Sequence, residues 1–304
     1  METVLKTEGL TKAFSKKTVV NEISMTIRRG DIYGFIGKNG AGKTTFMRLI
    51  LGLAIPDKGT VSLFEGEDRR TAGAKIGSMI EAPALYTGCT ALENLRRFSI
   101  ISNGVKGAGK KDDKELTELL ELVGLQNTGK KAAGHFSLGM KQRLGLAIAL
   151  LGDPEFLVMD EPVNGLDPAG IKSIRDTIRT LNQEKGVTFL ISSHLLDELS
   201  KTVTRYGIIN NGVLVEEIDK QALDEQFRRN ITITVDNPLK AASILQGMIP
   251  EKDLVVNGDV LTVYSHQYEA AALNRTLVQA GLQVSGLNTH VNDIETFFLE
   301  RIGE

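Results

Sequence analysis

The chain has 304 residues, 41% hydrophobic and 24% charged, a composition typical of a folded protein of about two domains and not of a disordered one. Its formal net charge of −2 argues against a protein that mainly neutralises nucleic acid phosphates, and no apolar run approaches the roughly 18 residues that cross a bilayer. Cys89 is the sole cysteine, which excludes an intrachain disulfide and favours the reducing cytoplasm, so work at a membrane would depend on a partner.

The first thirty-odd residues predict antiparallel strands that lead into a buried strand. Val19–Ile27 alternates imperfectly between apolar and polar residues, and Gly30 and Asp31 predict a turn before the apolar strand Ile32–Ile36. That strand runs into a Gly-rich segment and then into apolar residues at helical spacing. Strand, Gly-rich loop and helix in this order form a phosphate-binding arrangement, because loop amides and the helix N-terminus face the anion.

The segment Gly37 to Thr44 matches the P-loop pattern of nucleotide-binding proteins. Glycines let backbone N–H groups point at phosphates without Cβ clashes, Lys43 reaches the β- and γ-phosphates, and the Thr44 hydroxyl coordinates Mg²⁺. The sequence therefore predicts binding of a nucleotide together with Mg²⁺, and the family resemblance given below implies that the nucleotide is ATP. The predicted nucleotide contacts in this loop are Gly37, Lys38, Asn39, Gly40, Ala41, Gly42, Lys43, Thr44 and Thr45.

Residues of about 90–155 predict a mostly helical region, and strands alternate with helices after it. Apolar residues at helical spacing are Leu116, Leu119, Leu120 and Val123, then Leu144, Ala147, Ile148 and Leu151, then Ile171, Ile174, Ile178 and Leu181. A Gly- and Lys-rich loop is predicted at 102–114 and a hairpin turn at Asn210-Asn211-Gly212.

Asp160 and Glu161 follow the predicted buried strand Phe156–Met159. One carboxylate there can hold Mg²⁺, and the next can act as a general base on an attacking water. By pattern alone, two acids after a strand are more often a solvated strand end. The P-loop upstream favours the catalytic interpretation, with Lys43 as the phosphate-binding cation.

The order of these motifs resembles the ATP-binding subunits of ATP-binding cassette (ABC) transporters over about residues 3–220, most closely the bacitracin and lantibiotic self-protection exporters. Ser137-Leu-Gly-Met140 stands where the family carries its signature, usually Leu-Ser-Gly-Gly-Gln. His194 matches the switch histidine that contacts the γ-phosphate in this family. Gly165-Leu-Asp167 resembles the loop that couples the two nucleotide sites of a dimer, and Phe14 matches the aromatic residue that stacks on adenine. Alone, His194 would more often be a surface or capping residue and Phe14 a core residue.

The resemblance implies a head-to-tail dimer with a second copy or a paralogous ATPase. In such a dimer Ser137 and Gly139 contact the γ-phosphate held by the other protomer, and Leu138 and Met140 are departures from the usual signature. It further implies integral membrane permease subunits, docked near Glu81–Phe98, and therefore a location at the cytoplasmic face of the membrane. The implied activity is ATP hydrolysis that powers export of a peptide antibiotic.

Glu81 is a further departure, because the family normally has glutamine where Ile80-Glu81-Ala-Pro stands. The glutamine contacts Mg²⁺ or water and moves with the transmembrane partner, so the resemblance makes Glu81 a candidate ligand of both nucleotide and metal. The alternative interpretation is an exposed acid in a loop.

Residues 221–304 predict a small α+β accessory domain, in the order β-α-β-β-α-β with an extra C-terminal helix at about 291–302. In its first helix, the apolar residues Ala241, Ile244, Leu245 and Met248 are predicted to share one face. Residues 1–220 predict the cassette, a P-loop NTPase α/β fold with antiparallel β and helical subdomains.

Two other function classes stay open at this point. One is an ABC ATPase that acts on ribosomes or DNA, and the other is a regulatory cassette that does not hydrolyse ATP. A single cassette without a long heptad run disfavours the first, and no nucleic acid partner is expected. Intact Lys43, Asp160, Glu161 and His194 disfavour the second.

Overall fold

The computed structural model describes residues 2–102, 111–194, 201–226, 230–264 and 268–290, together with Phe298 and Arg301. The chain divides into two compact units, Met1–Lys220 with Glu300–Glu304, and Gln221–Leu299. Within the described ranges, none of the helices combines the length and the apolar character that crossing a membrane requires.

An antiparallel sheet opens the first unit. It contains β1 (Thr3–Phe14), β2 (Lys17–Arg28) and β4 (Lys58–Leu63) in the order β2-β1-β4. The strand predicted over Val19–Ile27 is confirmed, and register shifts in the pairing of β1 with β2 account for its imperfect alternation.

A six-stranded sheet forms the centre of this unit. Its strands are β5 (Ile76–Met79), β6 (Phe156–Asp160), β7 (Thr188–Ser193), β3 (Ile32–Ile36), β8 (Arg205–Asn210) and β9 (Val213–Asp219), in that spatial order. All strand pairs in this sheet are parallel except the pair of β8 with β9. The predicted turn joins these two strands, and its residues Asn211 and Gly212 have positive φ angles of 47° and 82°. Every residue of β3, β6 and β7 is buried, as parallel strands covered on both faces require.

Helices flank this sheet, and three of them lie within the range of about 90–155 that the sequence predicts to be mostly helical. Among the described residues, the helices of the unit are α1 (Lys43–Ile50), α2 (Arg69–Ala74), α3 (Ala91–Ser102), α4 (Asp113–Leu122), α5 (Leu138–Ala149) and α6 (Pro168–Lys185). Most of the loop predicted at 102–114 lies outside the described residues. Its C-terminal limit is wrong, because Asp112 and Glu115 form a capping box that starts α4 at Asp113.

The second unit contains the predicted β-α-β-β-α-β order. After α7 (Lys220–Gln226) come β10 (Asn230–Val235), α8 (Pro238–Leu245), β11 (Leu254–Asn257), β12 (Val260–Tyr264), α9 (Ala270–Gln279) and β13 (Val284–His290), and the sheet order is β11-β12-β10-β13. Ile231, Ile233 and Leu245 lie in its core, whereas Met248, expected on the same helix face, lies beyond the end of α8 and is exposed. The helix predicted over about 291–302 falls almost entirely outside the described residues.

Candidate active site

Three neighbouring parallel strands end at the same edge of the central sheet. The P-loop follows β3, the acids Asp160 and Glu161 lie at the end of β6, and His194 follows β7. Asp160 pairs in register with Ser192, and Ile36 pairs with Ser193 on the other side of β7. Because β7 lies between β3 and β6, the sheet itself brings the separated motifs together.

Close backbone packing shapes the P-loop. A Cβ on Gly37 would lie 2.4 Å from the carbonyl oxygen of Ile209, and a Cβ on Gly42, whose φ is 109°, would lie 2.5 Å from that of Val19. The backbone N–H of Gly212 donates to the carbonyl of Ala41 at 2.9 Å. Gly42 is the N-cap of α1, and none of the side chains that the structure describes caps this helix, so its first-turn amides suit an anion.

The ammonium group of Lys43 lies across this loop. It donates hydrogen bonds to the carbonyl oxygens of Gly37 at 2.5 Å and Lys38 at 3.2 Å, and it lies 3.2 Å from Oε1 of Glu161. The side chain is only 6% exposed, so its charge needs these oxygens as partners. The predicted phosphate-binding cation is therefore held at the mouth of the loop, next to the predicted general base.

Both carboxylate oxygens of Asp160 accept hydroxyl protons. The Thr44 hydroxyl donates to Oδ2 at 2.5 Å, and the Ser192 hydroxyl donates to Oδ1 at 2.5 Å. Asp160 and Ser192 are both buried. Ser192 is not among the site residues predicted from the sequence, although its hydroxyl, two residues before His194 in an apolar strand, could have indicated it.

Glu161 occupies the centre of the polar cluster. Its Oε2 lies 2.7 Å from Nδ1 of His194, and its backbone N–H donates to the Ser192 hydroxyl at 2.9 Å. Its φ of 49° is unusual for a residue with a side chain and is maintained by surrounding contacts. The structure thus brings Lys43, Thr44, Asp160, Glu161 and His194 into one network.

The oxygen donors of this network suit Mg²⁺ bound together with a phosphate. Among the described residues, no three His, Cys, Asp or Glu side chains cluster as a metal site would require. Mg²⁺ at nucleotide sites usually takes only one or two carboxylates, with water and phosphate oxygens completing its shell. The Thr44 hydroxyl and the Asp160 carboxylate, both hard oxygen ligands, match that requirement.

Glu81 and Phe14 lie outside this network. In the described part of the chain, the Glu81 carboxylate pairs with Arg48 of α1 and not with Thr44 or Asp160. Phe14 ends β1 and is 53% exposed as a residue, and Nζ of Lys12 lies 5.6 Å from the centroid of its ring. An exposed aromatic face of this kind can stack on a planar base.

The predicted signature segment starts α5 next to the predicted coupling loop. Ser137 is the N-cap, and its hydroxyl accepts the N–H of Met140 at 3.3 Å. A Cβ on Gly139 would lie 3.6 Å from Cδ2 of Leu166, and one on Gly165 would lie 3.0 Å from Cδ2 of Leu138. The two segments therefore pack against each other within one chain. They form a second cluster, separate from the network of hydrogen bonds around Lys43.

The chain is similar to known ATP-binding proteins. The ABC transporter family model matches residues 20–164. The bacitracin transport ATP-binding protein BcrA of Bacillus licheniformis is 40% identical over 308 residues, which cover 100% of this chain and 98% of that protein. The lantibiotic transport ATP-binding protein SrtF of Streptococcus pyogenes is 40% identical over 232 residues, which cover 75% of this chain and 97% of that protein.

Solved structures agree with the fold. The crystal structure of an ATP-binding cassette of an ABC transporter in its ADP conformation has a TM-score of 0.65 and 27% identity, covering 74% of this chain and 94% of that one. These similarities confirm the predicted P-loop fold class and do not support the ribosome, DNA or regulatory alternatives. Because a relative that is 40% identical aligns with its whole length, the chain belongs to the ABC transporter family as an ATP-binding subunit, a class of ATPase.

Proposed function

We propose that this subunit hydrolyses ATP, with Mg²⁺, to power export of a peptide antibiotic through separate integral membrane permease subunits. The similarity to the bacitracin transport protein extends over the whole chain, including the residues after 220, and supports this substrate class. Permease subunits would hold the chain at the cytoplasmic face of the membrane. We assign hydrolysis to residues 1–220 and an accessory role to residues 221–304, and no nucleic acid takes part.

The observation that carries the proposal is the position of Glu161 between Lys43 and His194. Glu161 is the general base. Its carboxylate takes a proton from the attacking water as the oxygen of that water bonds to the γ-phosphorus. The bond from this phosphorus to the oxygen that bridges the β- and γ-phosphates then breaks, and ADP and phosphate leave.

Lys43 balances the charge of the β- and γ-phosphates, because its ammonium already lies against the loop that holds them. Residues 37–45 cradle the phosphates through backbone N–H groups. Thr44 and Asp160 hold Mg²⁺, which neutralises phosphate charge when bound. Glu81 joins the nucleotide and metal contacts only if its carboxylate leaves Arg48.

His194 senses the γ-phosphate by exchanging its contact with Glu161 for one to the nucleotide. The position of its ring, 2.7 Å from the Glu161 carboxylate, supports this role. Phe14 stacks on the adenine ring, which its exposure permits.

Two protomers form a head-to-tail dimer, either two copies of this chain or this chain with a paralogous ATPase. Ser137 and Gly139 then face the γ-phosphate held by the partner. The start of α5 supports this arrangement, because Leu138 is 48% exposed beside Ser137 and a helix N-terminus attracts an anion. The packing of this segment on residues 165–166 provides a route between the two sites.

The test is copurification of the chain with the membrane subunits encoded beside it, followed by resistance measurements against a panel of peptide antibiotics. Cells with the complex should tolerate at least one peptide better than cells without it. Glu161→Gln is the matched control and should assemble normally but confer no resistance. A complex that lacks membrane subunits, or equal resistance from the control, would refute the proposal.

A further inference from the structure

We propose that Ser192 is a positioning residue that sets both acids of the hydrolytic site, an inference that rests on the proposed function. Ser192 is fully buried in β7, between the strand that carries the P-loop and the strand that carries the acids. Its hydroxyl donates to Oδ1 of Asp160 at 2.5 Å and accepts the backbone N–H of Glu161 at 2.9 Å.

One hydroxyl therefore holds the side chain of one acid and the backbone of the next. A serine hydroxyl has a single proton and two acceptor lone pairs. The proton is committed to Asp160, and a lone pair is committed to Glu161. The hydroxyl cannot donate its proton to another partner without releasing the Asp160 carboxylate.

Glu161 needs this support because the strand pairing ends before it. The last register pair of β6 with β7 joins Asp160 to Ser192, so Glu161 is the first residue beyond the ladder. Its φ of 49° is a conformation that residues with side chains adopt only when neighbours maintain it. The Ser192 hydroxyl satisfies the Glu161 N–H in place of a strand partner.

The two oxygens of Asp160 consequently have different tasks. Ser192 holds Oδ1, which fixes the plane of the carboxylate. Among the residues that the structure describes, Oδ2 accepts the Thr44 hydroxyl alone, and Thr44 is itself a proposed ligand of Mg²⁺. Oδ2 is therefore the oxygen free to exchange partners when Mg²⁺ and nucleotide enter, while Ser192 keeps the carboxylate oriented.

The variants that test this role are Ser192→Ala, Ser192→Cys and Thr188→Val. Ser192→Cys keeps the side-chain shape, with a somewhat larger atom in place of the hydroxyl oxygen, but makes much weaker hydrogen bonds, so it stands in if the alanine variant does not fold. Thr188→Val is the matched control. It removes another buried hydroxyl from the other end of β7, where Thr188 Oγ1 accepts the N–H of Gly30 at 3.0 Å.

The primary measurement is equilibrium binding of a fluorescent ATP analogue, first in EDTA and then across a Mg²⁺ titration. Residues that orient metal ligands typically change affinity or activity by about 10–100-fold when removed. We expect both Ser192 variants to raise the half-saturating Mg²⁺ concentration about tenfold or more, with little change in EDTA. The turnover number should fall more than KM rises, and Thr188→Val should match the parent in both assays.

Two results overturn the proposal. One is an unchanged half-saturating Mg²⁺ concentration in a folded Ser192 variant. The other is a rise in this concentration in Thr188→Val that equals the rise in the Ser192 variants, because the loss of any buried hydroxyl with a purely structural role would then have the same effect. Failure of the proposed function is distinguishable, because it would show as full hydrolysis by Glu161→Gln, whereas the Mg²⁺ titration measures binding and needs no hydrolysis.

Discussion

The ion pair of Glu81 with Arg48 makes a quantitative prediction. The side chains are 61% and 45% exposed, which places the pair among solvent-exposed ion pairs that contribute about 0.2–1 kcal/mol. Because 1.4 kcal/mol corresponds to a factor of about ten, removing the pair shifts any equilibrium by about fivefold at most. We therefore expect Glu81→Gln to change basal ATP hydrolysis by less than about tenfold, well below the ~10²–10⁴ that a general base contributes.

The assay is steady-state hydrolysis by the parent, Glu81→Gln, Arg48→Gln and the double variant. The double-mutant cycle should give a coupling energy of no more than about 1 kcal/mol. Raising the ionic strength to about 1 M shortens the screening length to about 3 Å, so the coupling of this exposed pair should weaken. A fall of more than tenfold in Glu81→Gln alone, or a coupling that does not weaken at high salt, would contradict this prediction.

Transport should respond differently from hydrolysis. The resemblance places the contact with the membrane subunits near residues 81–98, so a change at Glu81 should impair coupling. In the full complex, we expect resistance or transport in Glu81→Gln and Glu81→Ala to fall more than hydrolysis does. Equal transport by these variants and the parent would show that Glu81 is only an exposed acid.

Three further outcomes are expected. Glu161→Gln should retain ATP binding but lose about 10²–10⁴ in turnover, measured as phosphate release, because glutamine cannot take the proton. Lys43→Ala should sharply lower nucleotide affinity or turnover, measured by titration with a fluorescent analogue, because the phosphates and Glu161 lose their buried cation. Gly37→Ala should lower the free energy of unfolding in urea by about 1–3 kcal/mol, since its Cβ would meet the Ile209 carbonyl. Gly73→Ala, which has open space around it, is the control and should not destabilise the fold.

The sequence predicted the P-loop, Asp160 and Glu161 because each motif is local and includes its own strand. It did not predict which strands are neighbours, and the position of β7 between β3 and β6 is what places His194 and Ser192 in the site. Side-chain partners between distant loops were equally hidden. The resemblance associated Glu81 with nucleotide and metal, whereas the structure pairs it with Arg48.

Local patterns also set helix limits only approximately. Met248 continues an apolar spacing that predicts a longer helix, but α8 ends at Leu245 and Gly247 follows. Glycine lowers helix stability by about 1 kcal/mol relative to alanine, which favours termination there. The C-terminal limit of the loop predicted at 102–114 is also wrong, but here a helix starts sooner than predicted. The capping pair of Asp112 and Glu115 starts α4 at Asp113.

The strand order of the central sheet has a consequence for how the chain is made. The two sheet neighbours of β3 are β7 and β8, which span Thr188–Ser193 and Arg205–Asn210. During synthesis, therefore, both edges of β3 stay unpaired until about two thirds of the polypeptide has been made. All five residues of β3 are apolar or glycine, and all five are buried in the finished fold. An unpaired apolar strand readily associates with other chains. Premature termination before Thr188 would consequently yield a fragment prone to aggregation, despite carrying the complete phosphate-binding motif.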